Sequence, residues 1–192
     1  MNKEMITGVI LAGGKNSRMG SDKGMLKVGS KKIIERIIDA MKPVVDEIII
    51  ISNGNTYDYL GYKVFNDIIK DCGPMGGIHT ALSFSKTGKN LIVACDMPFL
   101  SSDILKQIID KSNDCDITVP EFLGEVHPLC AIYSSLCRNK FSKFLENGEW
   151  KMKKVLIQFK TKKISFSKNH FQNINTPEEY QTLKRTEHEY SN

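Results

Sequence analysis

Leu11-Ala12-Gly13-Gly14-Lys15-Asn16-Ser17-Arg18-Met19-Gly20-Ser21-Asp22-Lys23 follows directly on the apolar run Ile6 to Leu11. A buried strand that empties into a glycine-rich loop lets backbone N–H groups approach bound phosphates, because no Cβ stands in the way. Arg18 and Lys23 add two cations to that loop. The guanidinium is a planar fork that grips phosphate oxygens in pairs, and the ammonium is a compact, movable charge, so together they suit a triphosphate and a departing pyrophosphate. The spacing is neither common phosphate loop. A dinucleotide fingerprint needs GxGxxG, and a Walker loop puts lysine next to its last glycine; here Lys23 stands three residues after Gly20. Taken alone, the loop could also be a surface turn with solvated charges; its position after a strand argues for phosphate.

Outward from this loop, short β-branched runs alternate with amphipathic stretches, the pattern of a layered α/β domain with a mostly parallel sheet. Ile6 to Leu11, Glu47 to Ile51 and Leu91 to Cys95 read as central strands. Ile33, Ile34, Ile37, Ile38 and Met41 fall at helical spacing ahead of Pro43, and Ile104, Leu105, Ile108 and Ile109 repeat it after Ser101 and Ser102. Both predict crossover helices. Asp116 to Pro120 and Leu129 to Tyr133 flank a turn around Gly124, which predicts antiparallel strands added to the parallel core, walling one side of a cleft. Thr176, Pro177 and Glu179 supply an N-cap, a first-turn proline and a capping-box acid for a last helix to about Arg185.

The 192 residues suit one domain, 1–186, with a polar tail at 187–192. A content of 41% hydrophobic and 26% charged residues is that of a folded soluble protein. The net charge of +5 favours an anionic ligand but is too small to imply nucleic acid. Met5 to Leu11 is too short to span a membrane and is followed by no cleavage site. Cys72, Cys95, Cys115, Cys130 and Cys137 form an odd set with no CxxC pair, which points to neither disulfides nor zinc and to the reducing cytoplasm.

Cys95-Asp96-Met97-Pro98 ends the other strongly apolar run. A carboxylate at the mouth of a buried strand is poorly hydrated, and a divalent cation bridging it to a phosphate gives it a reason to ionise. Asp96 is therefore the candidate metal ligand, although Asp-x-Pro also starts ordinary turns.

The loop resembles the LxGGxSxRMGxDK signature of the nucleotidyltransferase superfamily, which moves nucleoside monophosphates from NTPs to phosphorylated acceptors, and Cys95 to Pro98 resembles its CD-x-P motif. The resemblance implies a Rossmann-like three-layer α/β sandwich, its mostly parallel sheet carrying antiparallel additions, with the nucleotide across the carboxyl edge of the sheet. It implies nucleotide contacts from Leu11, Ala12, Gly13 and Gly14, phosphate contacts from Arg18 and Lys23, and Mg2+ on Asp96. Asp67 with Gly73-Pro74-Met75-Gly76-Gly77, His127-Pro128 and Asn173-Ile174-Asn175-Thr176-Pro177-Glu178-Glu179 resemble segments of the molybdenum cofactor guanylyltransferase family within it. By that resemblance Asp67 accepts from guanine or from a ribose hydroxyl, Asn53 touches the nucleotide, His127, Asn173 and Asn175 face the acceptor, and Asn175 joins Asp96 at magnesium.

The reaction so implied is transfer of GMP from GTP to the terminal phosphate of molybdopterin. The alternatives are a sister enzyme using CTP or a sugar-phosphate acceptor, and a nucleotide-binding module without catalysis. Competent residues at 23 and 96 disfavour the last. The partners implied are GTP, molybdopterin and proteins that deliver or receive the cofactor, without nucleic acid or membrane. Seven lysines and no acid between Lys151 and Lys168 could attract such anions, or form a solvated surface around core contacts from Val155, Leu156 and Phe159.

Overall fold

The computed structural model describes residues 4–13, 22–168 and 170–190. In chain order the elements are β1 (Ile6–Leu11), the short hairpin β2 (Lys27–Val28) and β3 (Lys31–Lys32), α1 (Ile33–Met41), β4 (Glu47–Ile51), β5 (Lys63–Phe65), α2 (Gly73–Phe84), β6 (Lys89–Ala94), α3 (Ser102–Asp110), β7 (Ile117–Phe122), β8 (Glu125–Val126), β9 (Cys130–Ser134), α4 (Arg138–Glu146), α5 (Met152–Leu156), β10 (Thr161–Ser165) and α6 (Pro177–Tyr190). The main sheet runs β10-β7-β9-β6-β1-β4-β5, and β8 extends from β7.

β1 pairs in parallel with both β4 and β6 and is buried along its whole length. A strand with neighbours on each side and helices over each face needs apolar side chains in both directions, and Ile6-Thr7-Gly8-Val9-Ile10-Leu11 nearly supplies them. Ile6 and Ile10 enter one core with α1, α3 and Leu183 of α6, whereas Val9 and Leu11 enter the other with α2, α4 and α5. Helix, sheet and helix thus form the three layers that the sequence predicts. The predicted crossover helices are α1 and α3, and the Ser101 hydroxyl caps α3 by accepting from the Ile104 amide.

The antiparallel addition is β9, inserted between β6 and β7 and antiparallel to both. Register then explains how distant segments meet. Leu11 is level with Ile51 of β4 and Ala94 of β6, Ile51 with Phe65 of β5, and Val93 with Cys130 at the start of β9. The residues after Leu11, Ile51, Phe65 and Ala94, and those before Cys130, therefore emerge at one edge of the sheet. β10 pairs in parallel with β7, so the chain after Ser165 leaves at the same edge. There the Ile174 amide donates to the Asp96 carbonyl at 2.9 Å and ties residues 170–175 to the end of β6.

The elements depart from the sequence reading in several places. β6 ends at Ala94, and Cys95 lies just past it, although its amide still donates to the Leu11 carbonyl at 3.0 Å. In the lysine-rich stretch Val155 and Leu156 are buried and Phe159 packs half-buried against the same core, as the sequence reading expects, but Thr161–Ser165 forms the edge strand β10, which that reading does not contain and where only Ile164 is buried. Edge strands carry lysine without penalty because one side faces water, and Lys162 and Lys163 discourage pairing with another chain. Finally, α6 continues through Tyr190 rather than stopping near Arg185, since Thr186 to Tyr190 contains neither glycine nor proline to end it. No helix among the described residues is long and apolar enough to cross a membrane.

Candidate active site

Lys23 opens a single 3₁₀ turn, Lys23–Met25, and Asp22 caps it: a carboxylate oxygen of Asp22 accepts from the Gly24 amide at 3.0 Å. The same oxygen accepts a hydrogen bond from the Tyr57 hydroxyl. Tyr57 is fully buried, and its hydroxyl is held well above the usual phenol range, by burial first and then by neighbouring Cys95 and Asp22. Gly24 is required beside it, because a Cβ there would lie 2.5 Å from the Tyr57 hydroxyl oxygen.

From this turn the Lys23 ammonium reaches across the carboxyl edge of the sheet. It lies 3.4 Å from Asp96 Oδ2, with which it forms an ion pair, and donates to Asn175 Oδ1 at 2.7 Å. Three residues drawn from the loop after β1, the end of β6 and the segment before α6 thus share one ammonium. The Asp96 and Lys23 side chains are only 17% and 21% exposed. Burial pushes the Asp96 carboxyl above the usual carboxylate range, and Lys23 opposes that rise without cancelling it. Asp96 Oδ1 is buried and has no hydrogen-bond partner among the described residues. The neighbouring Cys95 thiol, pushed up to about 12 by burial and then by the Asp96 and Asp22 carboxylates, remains a neutral, inert group.

Asn175 is itself held. Its amide donates to Glu179 Oε2 at 2.7 Å; the same oxygen accepts from the Thr176 amide at 3.3 Å while Thr176 Oγ1 accepts from the Glu179 amide at 3.2 Å, the reciprocal capping box that the sequence predicts.

A second cluster forms around Gly13. Asn53 Nδ2 donates to Asp67 Oδ2 at 3.0 Å, and the Asp67 amide returns a bond to Asn53 Oδ1 at 3.1 Å. A Cβ on Gly13 would stand 3.8 Å from the same Asp67 oxygen, an ordinary contact distance, so this glycine borders the acid without crowding it. Asp67 Oδ1 is buried without a partner among the described residues, and burial raises this carboxyl against the pull of the Asn53 amide. Leu11 and Ala12 are buried, with the Leu11 carbonyl taken by Cys95 and the Ala12 amide by the Ile51 carbonyl. Gly13 is thus the exposed member of the three.

The third group lies where β9 begins and the chain returns from β10. The His127 ring stacks on Phe171, centroids 4.9 Å apart, and Nε2 is buried without a partner among the described residues. Burial lowers its pKa, with Glu125 opposing, so the imidazole is neutral near pH 7. Asn173 Oδ1 is likewise buried and unpartnered among the described residues. Unpaired buried polar atoms cost stability and in native proteins ask for an explanation, such as a ligand. Asp67, Asp96, His127 and Asn173, all named from the sequence, each carry one.

The structure therefore joins Lys23, Asp96 and Asn175 directly, joins Asn53 and Asp67 directly with Gly13 near them, and sets His127 and Asn173 on the same edge. Gly14 and Arg18 lie outside the described residues. The sequence reading missed Asp22, Tyr57 and Phe171. Asp before a short turn is an N-cap signal that could have flagged Asp22; nothing in the local sequence marks the other two.

The chain matches the family model described as MobA-like NTP transferase domain over residues 8–162. A probable molybdenum cofactor guanylyltransferase of Clostridium perfringens is 40% identical over 185 residues, covering 91% of this chain and 93% of that protein. One from Flavobacterium johnsoniae is 40% identical over 184 residues, covering 94% and 97%. Among solved structures, the molybdopterin-guanine dinucleotide biosynthesis protein A of Archaeoglobus fulgidus shares the fold, with a TM-score of 0.80 at 22% identity over 95% of this chain and 99% of that one.

Proposed function

Because this chain belongs to the MobA-like NTP transferase family, we propose that it transfers GMP from GTP to the terminal phosphate of molybdopterin and releases pyrophosphate. Relatives covering nine-tenths of the chain carry the name molybdenum cofactor guanylyltransferase. The observation that carries the chemistry is the Lys23 ammonium held between Asp96 and Asn175 at the carboxyl edge of the sheet.

The residues fit magnesium. Asp96 offers a buried carboxylate oxygen without a partner among the described residues, and Asn175 a second hard oxygen beside the same ammonium. Mg2+ is commonly held by one or two such ligands together with substrate phosphates and water. When bound, it would neutralise charge on the triphosphate and help bring two phosphate anions together.

The chain's own residues do the rest. Lys23 exchanges its side-chain acceptors for phosphate oxygens and offsets charge on the departing pyrophosphate, with Arg18 as the second cation of the loop. The Asn53–Asp67 pair receives the nucleobase side: Asp67 Oδ1 accepts from guanine N1–H and its amino group or from a ribose hydroxyl, which also relieves its unpaired burial. His127 and Asn173 face the acceptor. Its terminal phosphate, with a second pKa of about 6, is largely dianionic at neutral pH, so no general base is needed. The five free cysteines suit a reducing compartment, and we assign the enzyme to the cytoplasm. The lysines of 151–168 are the surface we assign to proteins that deliver or receive the cofactor.

The test is thermal stabilisation with magnesium and each of GTP, CTP, UTP, ATP and TTP. GTP at about 100 Kd should add about 2.7 kcal/mol and raise Tm by roughly 5–10 °C, with smaller shifts from the others. A clear preference for CTP would transfer the assignment to the cytidylyl branch. Lys23→Ala and Asp96→Ala should each lower GMP transfer by about 10²–10³ while the fold persists; normal turnover in both would remove the site from the reaction.

A further inference from the structure

We propose that Tyr57 is a positioning residue for Lys23, acting through Asp22; the inference rests on the nucleotidyl-transfer reading of the site. Lysine carries its charge on a flexible four-carbon stem, so its placement depends on what fixes the backbone beneath it. Here that backbone is one 3₁₀ turn. Its internal bonds are few: the Met25 amide to the Asp22 carbonyl at 3.1 Å, the Leu26 amide to the Lys23 carbonyl at 3.1 Å, and the Gly24 amide to the Asp22 carboxylate at 3.0 Å. The Asp22 carboxylate spans Lys23 from the residue before it to the residue after it, so fixing that carboxylate fixes the root of the lysine.

Tyr57 does this from outside the turn. Its ring is fully buried within the core that includes Ile10, Ile33 and Ile37, and its hydroxyl is the group that meets Asp22. A Phe would fill the same core; the hydroxyl is needed for the aspartate. Gly24 completes the fit, since any side chain there would occupy the place of the hydroxyl oxygen. The geometry also links the two halves of the site. Tyr57 and Asn53 belong to the same segment between β4 and β5, so one segment holds both the Asn53–Asp67 pair and the base of Lys23.

Tyr57→Phe keeps the ring and removes only the hydroxyl. It should lower kcat for GMP transfer about tenfold and change KM for GTP about twofold or less, because the lost alignment is felt chiefly in the transition state. In a Lys23→Met background the same substitution should have no further effect; an equal fold-loss in both backgrounds would mean a general structural role and overturn the proposal. A readout without turnover separates this from the functional reading. Acetic anhydride labelling of the intact chain, followed by peptide mass spectrometry, should modify Lys23 about fivefold faster in Tyr57→Phe, with the other lysines unchanged, as the ammonium leaves its partners more often. If Tyr57→Phe folds poorly, Asp22→Ala, which removes the oxygen that the Tyr57 hydroxyl meets, should give the same acceleration. Unchanged Lys23 labelling in a folded variant defeats the latch whatever the enzyme transfers. An inactive wild type whose labelling still responds would defeat only the transferase assignment.

Discussion

Burial and charge pull Asp96 in opposite directions, and burial prevails. The carboxyl therefore has a higher pKa in the folded chain than in the unfolded one, so its ionised form weighs against folding. That cost is fully present above the folded-state pKa and absent below the unfolded one. Asp96→Asn should raise Tm at pH 7, by about 2–4 °C for each kcal/mol relieved, and the gain should fade as pH drops through the carboxylate range. A variant less stable than the wild type at pH 7 would mean that the Lys23 attraction outweighs burial. Such a residue is legible in sequence because its local surroundings announce it: an acid directly after Leu91-Ile92-Val93-Ala94-Cys95 has nowhere well hydrated to go. Lys23, after a glycine loop, is legible for a similar reason. Tyr57 is not, because its role depends on an aspartate that only the fold brings to it.

Helices with one apolar stripe, α1 and α3, were readable from periodicity, since their buried isoleucines recur at the helical spacing. α2 is different. Residues Met75 to Leu82 are all buried, so the polar face that defines an amphipathic pattern is missing. Its glycines serve close packing: a Cβ on Gly76 would stand 2.8 Å from the Ile69 carbonyl oxygen, and one on Gly77 3.2 Å from Leu11 Cδ2. Gly76→Ala should destabilise by about 1–3 kcal/mol, the range for overpacking, and is checked by urea denaturation; an unchanged midpoint would show that the Ile69 loop yields freely. β10 escaped the sequence reading because Thr161-Lys162-Lys163-Ile164-Ser165 buries one residue, too few for an alternating pattern.

Across the whole molecule, protection should follow sheet position. β1 and β6 are interior strands buried on both faces, whereas β5 and β10 are the sheet edges. Amide exchange should reach β1 and β6 only through global unfolding, and β5 and β10 through local opening as well. Equal protection of β10 and β1 would contradict this. The α/β class, the strand that begins the sheet and the chemical identity of the cation and the carboxylate were set by local sequence, because hydrophobic period, glycine content and charge act over a few residues. Which segments meet was decided by tertiary structure. Parallel pairing of β1 with β4 and β6 puts their carboxyl ends level, and that register, a product of long-range packing, carries Lys23, Asp96 and Asn175 to one ammonium's reach.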